Sequence, residues 1–404
     1  MIQTLNDILE SDKVLRKVIV DELKQIQKQY PSPRLTEIKD EIQEIVIDEE
    51  AMILPEDIYV SITRDGYVKR ISQRSYKASE NIAFGKKDED VLLDLHFAST
   101  LDKLLIFTDK GNYLFIPIHK LEEFKWKELG KHISYFIKVS PEEKMIGSIL
   151  IKSFELPYYV LLVTRLGQIK RVALKDFEVA RYSKPLKCMN LKKDDQLLQV
   201  SLTNDHQAIV LTSSLGYVSL YSEQEISILG LKAAGIKAMN LKEDVLVSMN
   251  TFDPTYSYSY VLVSDQPGIK RMRVSDIPSC NRATKGTLIF KSPKTHPIHA
   301  VISYVLDIQD KFVITTQQKK EVMIVKDFSI SQIGQKPSVI QSLKNEIITD
   351  VYRDFVLTTN LYQDKIENNQ NKEKVDKHQP LEKNPQQDKH FEPISFDDLF
   401  KDDF

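Results

Sequence analysis

The sequence predicts a mainly β protein. A six-bladed, propeller-like ring spans residues 58–360, a short α-helical segment with its linker occupies residues 1–50, and a disordered acidic tail covers residues 363–404. Three observations carry this expectation. Helical periodicity stops before residue 58, a strand–turn–strand unit then recurs six times, and the composition turns polar after the last copy.

In the first segment, Ile8, Leu15, Ile19, Leu23, Ile26 and Tyr30 recur at spacings of three, four and seven, the period of one helix face. The pattern predicts a helix from Leu5 to Tyr30, ended by Pro31-Ser32-Pro33, because the residue before a proline is pushed out of the α region. A second short helix is expected from Thr36, with Ile38, Ile42 and Ile45 on one face. Such a pair must bury its stripe against something else.

The repeat reads IYVSITRDGYVKRIS from Ile58, KLLIFTDKGNYLFIPI from Lys103, VLLVTRLGQIKRVAL from Val160, AIVLTSSLGYVSLY from Ala208 and YVLVSDQPGIKRMRV from Tyr260. A sixth copy, KFVITTQQKKEVMIV from Lys311, keeps the strands and has lost the glycine. The glycines Gly66, Gly111, Gly167, Gly216 and Gly268 fall at intervals of 45, 56, 49 and 52. Glycine is expected in a tight hairpin turn, where positive φ is needed. A period near fifty built only of strands indicates units that bury their apolar faces on neighbours around a ring.

The net charge of −2 averages three unlike regions: −7 over residues 1–57, +9 over 58–362 and −4 over 363–404. A basic body between acidic ends points to a polyanionic partner. No stretch approaches the ~20 apolar residues that span a bilayer, and the amino-terminal sequence MIQTLNDILESDK is not a secretory signal. The two cysteines, Cys188 and Cys280, lie far apart and suit a reducing cytosol. The tail closes with FEPISFDDLFKDDF, where aromatic residues alternate with acids. It is read as a DNA mimic competing for the basic face, a docking segment or a solubilising tail.

No catalytic constellation stands out. The eight histidines form no metal-binding pair, and His296 and His299 lack an accompanying acidic or cysteine cluster. Phosphate-loop and nucleophile-elbow motifs are missing, and Asp194–Asp195 reads as a solvated turn. The chain by itself is expected to be neither an enzyme nor a holder of metal or cofactor.

The informative charges lie in the odd repeats, where the strand after the turn carries Lys69–Arg70, Lys170–Arg171 and Lys270–Arg271. Phe115-Ile116, Ser219-Leu220 and Ile324-Val325 stand there in the even ones. Further cations flank the pairs: Arg74 and Lys77; Lys175, Arg181, Lys184 and Lys187; Arg273, Arg282 and Lys285. Cations repeated around a rigid disc match a curved duplex backbone, which bears one charge per ~1.7 Å. With no groove-entering helix or aromatic platform, backbone contact and bending with little sequence preference are expected. The bland alternative is solvated charge that protects strand edges.

The segment DIYVSITRDGYVKRIS resembles the opening blade of the C-terminal domains of type IIA topoisomerase A subunits. Their β-pinwheel is a propeller variant in which neighbouring blades exchange strands. ILESDKVLRKVIVDELKQIQKQYPSPRLTEI is similar to the end of the preceding breakage–reunion domain. In the gyrase branch a Gln-Arg-Arg-Gly-Gly-Lys-Gly box follows the first blade. Here it falls on residues 79–85, Ser-Glu-Asn-Ile-Ala-Phe-Gly, and only Gly85 matches. That departure favours the topoisomerase IV branch over a gyrase that has lost its box. The resemblance implies as partners duplex DNA, the B subunit, and the remainder of the A subunit. It implies a place in the bacterial cytoplasm on the chromosome. It also implies that ATP and magnesium serve only the whole enzyme, which separates linked chromosomes and relaxes supercoils. The family's nucleophilic tyrosine would lie upstream, making this chain a C-terminal fragment. A protein-binding propeller scaffold, or an enzyme assembled from blade loops, remain the alternatives from other classes.

Overall fold

The computed structural model describes residues 2–31, 52–79 and 82–354. The expected helix after Thr36 and the tail 363–404 lie outside the described residues. The chain divides into two compact units, residues 1–52 and 53–404.

In the first unit the expected single helix is two, α1 (Ile2–Glu10) and α2 (Asp12–Gln29). Ser11 breaks them: it adopts φ −131°, ψ 109°, and its carbonyl receives the amides of Val14 and Leu15. Asp12 then places a carboxylate in the first turn, where the helix dipole favours it. The stripe Leu15, Ile19, Leu23 and Ile26 is exposed.

The second unit is a six-bladed β-propeller. Each blade is centred on one predicted hairpin, from Asp57–Thr63 with Tyr67–Ser72 in blade 1 to Lys311–Thr316 with Lys320–Ile324 in blade 6. A third strand pairs on the inner side of each first hairpin strand: Leu92–Ser99, Met145–Ile151, Leu197–Thr203, Leu246–Phe252, Ala300–Leu306 and Ile348–Arg353. Residues from all six inner strands line one central channel of about 760 Å³.

Why the hairpins are apolar on both faces follows from the packing. Strand residues alternate sides. Leu104 and Ile106 of blade 2 pack on Val60 and Ile62 of blade 1, while Leu105 and Phe107 pack on Val160 and Leu162 of blade 3. Each such side chain contributes about 1.5–3 kcal/mol when removed from water.

The repeated Thr or Ser closes the turn. Thr63 Oγ1 accepts the amide of Tyr67 at 3.0 Å, Thr164 Oγ1 that of Gln168 at 3.0 Å, and Ser213 Oγ that of Tyr217 at 3.1 Å. Gly66, Gly111, Gly167 and Gly216 take the positive φ expected of them, between 72° and 88°. Gly268 does not: it is the first residue of the strand Gly268–Arg273. In blade 6, Thr316 replaces the glycine device, with Oγ1 accepting the amides of Gln318 and Lys319. Asp195 is buried, contrary to the solvated-turn expectation, because its Oδ1 accepts the amides of Leu166 and Gln196.

Neighbouring blades exchange strands. The segment after each of the second to sixth hairpins crosses back to the outer edge of the preceding blade. There it adds a two-residue strand: Lys131–His132 on blade 1, Leu186–Lys187 on blade 2, Ile236–Lys237 on blade 3, Thr287–Leu288 on blade 4 and Ser338–Val339 on blade 5. Among the described residues, five blades therefore have four strands, and blade 6 has three.

Candidate nucleic-acid interface

The crossing segments form the outer edge of blades 1–5, opposite the channel-lining strands. On blades 1, 3, 4 and 5 their path is the same. Each first makes a parallel bridge with the second hairpin strand, at Arg70–Glu123, Arg171–Ile228, Leu220–Ser279 and Arg271–Ile330. It then loops outward and returns to pair antiparallel with the start of that strand.

The loop needs a donor at its centre for its carbonyls. In the odd blades that is the lysine of the Lys–Arg pair. Lys69 Nζ donates to the carbonyls of Gly85 (3.3 Å), Trp126 (2.8 Å) and Glu128. Lys170 Nζ donates to Gly230 (2.9 Å), Leu231 (2.7 Å) and Ala233 (3.0 Å). Lys270 Nζ donates to Ser331 Oγ (3.2 Å) and to the carbonyls of Gln332 (2.5 Å) and Gln335 (3.1 Å).

These three lysines are no more than 1% exposed. Burial lowers their pKa values, Lys69 to about 7 and Lys170 and Lys270 to about 8. Expected against phosphate, each ammonium instead faces inward and is enclosed by the loop it holds. The hairpin pairing also places Leu114 and Ser219 at the equivalent positions of blades 2 and 4, the latter beside Leu220. At Ser219 the loop lies closer, with Gly286 where a Cβ would come within 2.6 Å of Ser219 Oγ.

Two of the three arginines of the pairs are engaged in the same way. Arg171 is buried, with Nε on the Ile226 carbonyl and Nη1 paired to Asp205 and, at 3.8 Å, to Glu223. Arg271 is buried, donating to Ser259 Oγ (3.2 Å) and the Phe328 carbonyl (2.8 Å). Arg70 is half-buried. The alternation of cations along the sequence is thus mainly a property of the interior.

The other expected residues divide into two groups. Arg74, Lys77, Lys175 and Arg273 are exposed, at the end of the second hairpin strand away from the turn. Arg181, Lys184, Lys187 and Lys285 are exposed on crossing segments, and Arg282 is half-buried there with its guanidinium on the Glu225 and Lys237 carbonyls. Lys285 lies 4.0 Å from the centre of the Tyr217 ring.

The crossing segments also carry cations that the pair-centred reading missed: Lys125, Lys127, Lys131, Lys232, Lys237 and Lys336. All are exposed except Lys131, which is half-buried and paired with Glu122. Residues 178–187, 227–237 and 279–288 each hold two or three cations and at most one acid, whereas residues 121–132 hold three of each. The excess is therefore on blades 2–4. A lysine within three residues of each delivered strand was the available signal.

The segment aligned with the gyrase box, apart from Glu80 and Asn81, packs on blade 1. Trp126 Nε1 donates to the Ile82 carbonyl at 2.8 Å, and the Gly85 amide to the Trp126 carbonyl at 3.0 Å. Phe84 sits edge-on to Trp126 and 3.8 Å from Lys69 Nζ. A Cβ on Gly85 would lie 2.2 Å from the Lys127 carbonyl oxygen, so only glycine fits. Among the described residues, no group of three or more His, Cys, Asp or Glu could hold a metal ion. Among them, no helix is long and apolar enough to cross a membrane.

A ring of strand-exchanged hairpins with a cationic outer edge has relatives. The family model for the DNA gyrase C-terminal domain, a β-propeller, matches residues 57–87, 102–152, 158–204, 207–251 and 260–291. The chain belongs to that family. Within it, the chain is 37% identical over 317 residues to the DNA topoisomerase 4 A subunit of Bacillus subtilis, covering 78% of this chain and 39% of that protein. It is 36% identical over 333 residues to the protein of the same name from Staphylococcus epidermidis, covering 82% and 42%. The chain thus spans about two fifths of the length of these relatives. A crystal structure of the C-terminal domain of DNA topoisomerase IV superposes with TM-score 0.69 at 37% identity, over 75% of this chain and 94% of that one. A DNA gyrase A C-terminal domain gives TM-score 0.55 at 20% identity over 74% and 99%, a likeness of fold.

Proposed function

We propose that this chain binds and bends duplex DNA along the outer edge of its blades, as the C-terminal part of a topoisomerase IV A subunit. The observation that carries the reading is the construction of that edge. Successive crossing segments, on blades 2–4 above all, present exposed cations with few acids among them. A duplex following such an edge must curve around the channel axis. Contact with backbone phosphates fixes position without reading sequence, and bending cost varies with the deformability of the DNA.

In the whole enzyme, this edge would present a duplex segment to the gate formed by the remainder of the A subunit, with the B subunit supplying ATP hydrolysis. Decatenation and relaxation belong to that assembly, in the bacterial cytoplasm on the chromosome. DNA cleavage would be carried by the part of the A subunit outside this chain. The gyrase reading is less favoured, because residues 82–85 pack against Trp126 and carry no arginine to grip a returning duplex.

The test is energy transfer between dyes at the two ends of a short duplex. Adding the protein should bring the ends together, and a variant carrying Lys184→Ala, Lys187→Ala, Lys232→Ala and Lys237→Ala should lose most of that effect. Binding without any change in end-to-end distance would remove the bending role.

A further inference from the structure

Blades 1–5 each receive a fourth strand from the repeat that follows them, and that strand pairs with the first residues of the second hairpin strand. Blade 6 does not. Its sheet runs from the inner strand Ile348–Arg353 through Lys311–Thr316 to Lys320–Ile324, and among the described residues nothing pairs with the outer side of Lys320–Ile324. Ring symmetry would draw the missing strand from the segment after the first hairpin. That segment is committed elsewhere: Gln73–Lys77 is a helix, and residues 82–85 are held on Trp126 and Lys69.

The vacant position is a strand edge in chemistry as well as in topology. It offers a backbone ladder, and Val322 on it is 51% exposed. Unpaired edges of this kind recruit an extended peptide, which brings both the donors and the acceptors that the main-chain groups need. The edge is also basic. Lys319 and Lys320 are exposed, and Lys86 is close enough to Lys320 for that charge, after burial, to hold its own pKa down. Glu321 is hydrogen-bonded to Ser342 Oγ at 2.6 Å.

The chain itself carries a segment of matching chemistry. Residues 391–404, FEPISFDDLFKDDF, hold five acids and one lysine, with apolar residues at Phe391, Ile394, Phe396, Leu399 and Phe400. The last described residue, Asp354, follows directly on the inner strand of the same blade. Position 391 is 37 residues further along, and a flexible chain of that length has a root-mean-square span of about 34 Å. The seat beyond Lys320–Ile324 lies three strand spacings from that inner strand, about 14 Å.

We propose that residues 391–404 seat on the vacant outer edge of blade 6 as its missing strand, with their carboxylates against Lys319 and Lys320. The seat would complete the sixth blade and place acidic groups at the end of the cationic edge.

The experiment is amide hydrogen exchange on the full 404-residue chain and on a chain ending at His390. The truncation should speed exchange in residues 319–324 at least tenfold while leaving Tyr217–Ser222 unchanged, and a synthetic 391–404 peptide should restore the protection. Lys319→Glu with Lys320→Glu should release the tail, and adding Asp397→Lys with Asp398→Lys should bring it back. Equal exchange in the two chains overturns the proposal. Protection that rises with protein concentration in both would assign the edge to a second copy, and protection that needs added duplex would assign it to DNA. Either result also overturns it.

Discussion

Lys170 Nζ donates a hydrogen bond to the carbonyl of Leu231 at 2.7 Å, across a separation of 61 residues. The lysine belongs to the hairpin of blade 3, and Leu231 to the segment that the next repeat sends back over that blade. One buried ammonium therefore ties two repeats together and shapes a loop whose outer surface carries Lys232 and Lys237. The basic residues of the repeat divide into those that hold the loop and those that the loop displays.

Lys170→Met should lower stability by about 1–3 kcal/mol, because loop carbonyls lose an ionic donor. Exchange of the amides in residues 229–235 should accelerate most. Thermal unfolding together with site-resolved exchange checks this, and an unchanged melting temperature would show that the ammonium contributes nothing.

Lys232→Ala with Lys237→Ala should leave stability within about 0.5 kcal/mol of the parent, as surface changes usually do. If both lysines meet phosphates, the magnitude of the slope of log affinity against log salt should fall by about 1.8. Titrations at several salt concentrations measure it.

Gly85→Ala should destabilise by about 1–3 kcal/mol, the usual cost of overpacking, since the new Cβ would lie 2.2 Å from the Lys127 carbonyl oxygen. The indole of Trp126, whose Nε1 donates to Ile82 in the same segment, gives a fluorescence readout. A variant as stable as the parent would mean that residues 82–85 are not fixed on blade 1.

Burial holds Lys170 near pKa 8 in the folded chain against 10.5 for a free lysine. Between those values the unfolded chain binds more protons than the folded one, so stability rises with pH across that window. Comparing parent with Lys170→Met, the lysine's contribution should therefore become more favourable from about pH 8 to about 10.5. Denaturant unfolding at a series of pH values tests the sign, and a lysine contribution that falls over the window would refute the shift.

The ring was legible in the sequence because its signals are local and repeated. Thr63, Thr164 and Ser213 close their own turns within four residues, and the alternation of Leu104 with Leu105 needs only a neighbour on each side. The interface was less legible, because its construction is not local. Lys170 and Lys237 are 67 positions apart, and nothing in either stretch says which of them faces water. A Lys–Arg pair inside a strand looks like surface charge until the crossing segment is known to cover it. The rim cations Lys232, Lys237 and Lys336 sit in short, irregular stretches, and the recurrence of a lysine there shows only against delivered strands of two residues each. The break at Ser11 was hidden for a similar reason, since the apolar spacing continues through it.

The central claim is that DNA is held by the displayed cations and not by the enclosed ones. Its most direct test is the salt dependence of duplex binding by two variants measured beside the parent. One carries Lys170→Met and Lys270→Met, the other Lys184→Ala, Lys187→Ala, Lys232→Ala and Lys237→Ala. The account expects the first to keep the parental slope and the second to lose about 3.6 from its magnitude, at about 0.9 per phosphate contact. A slope reduced by the first variant and kept by the second would contradict it.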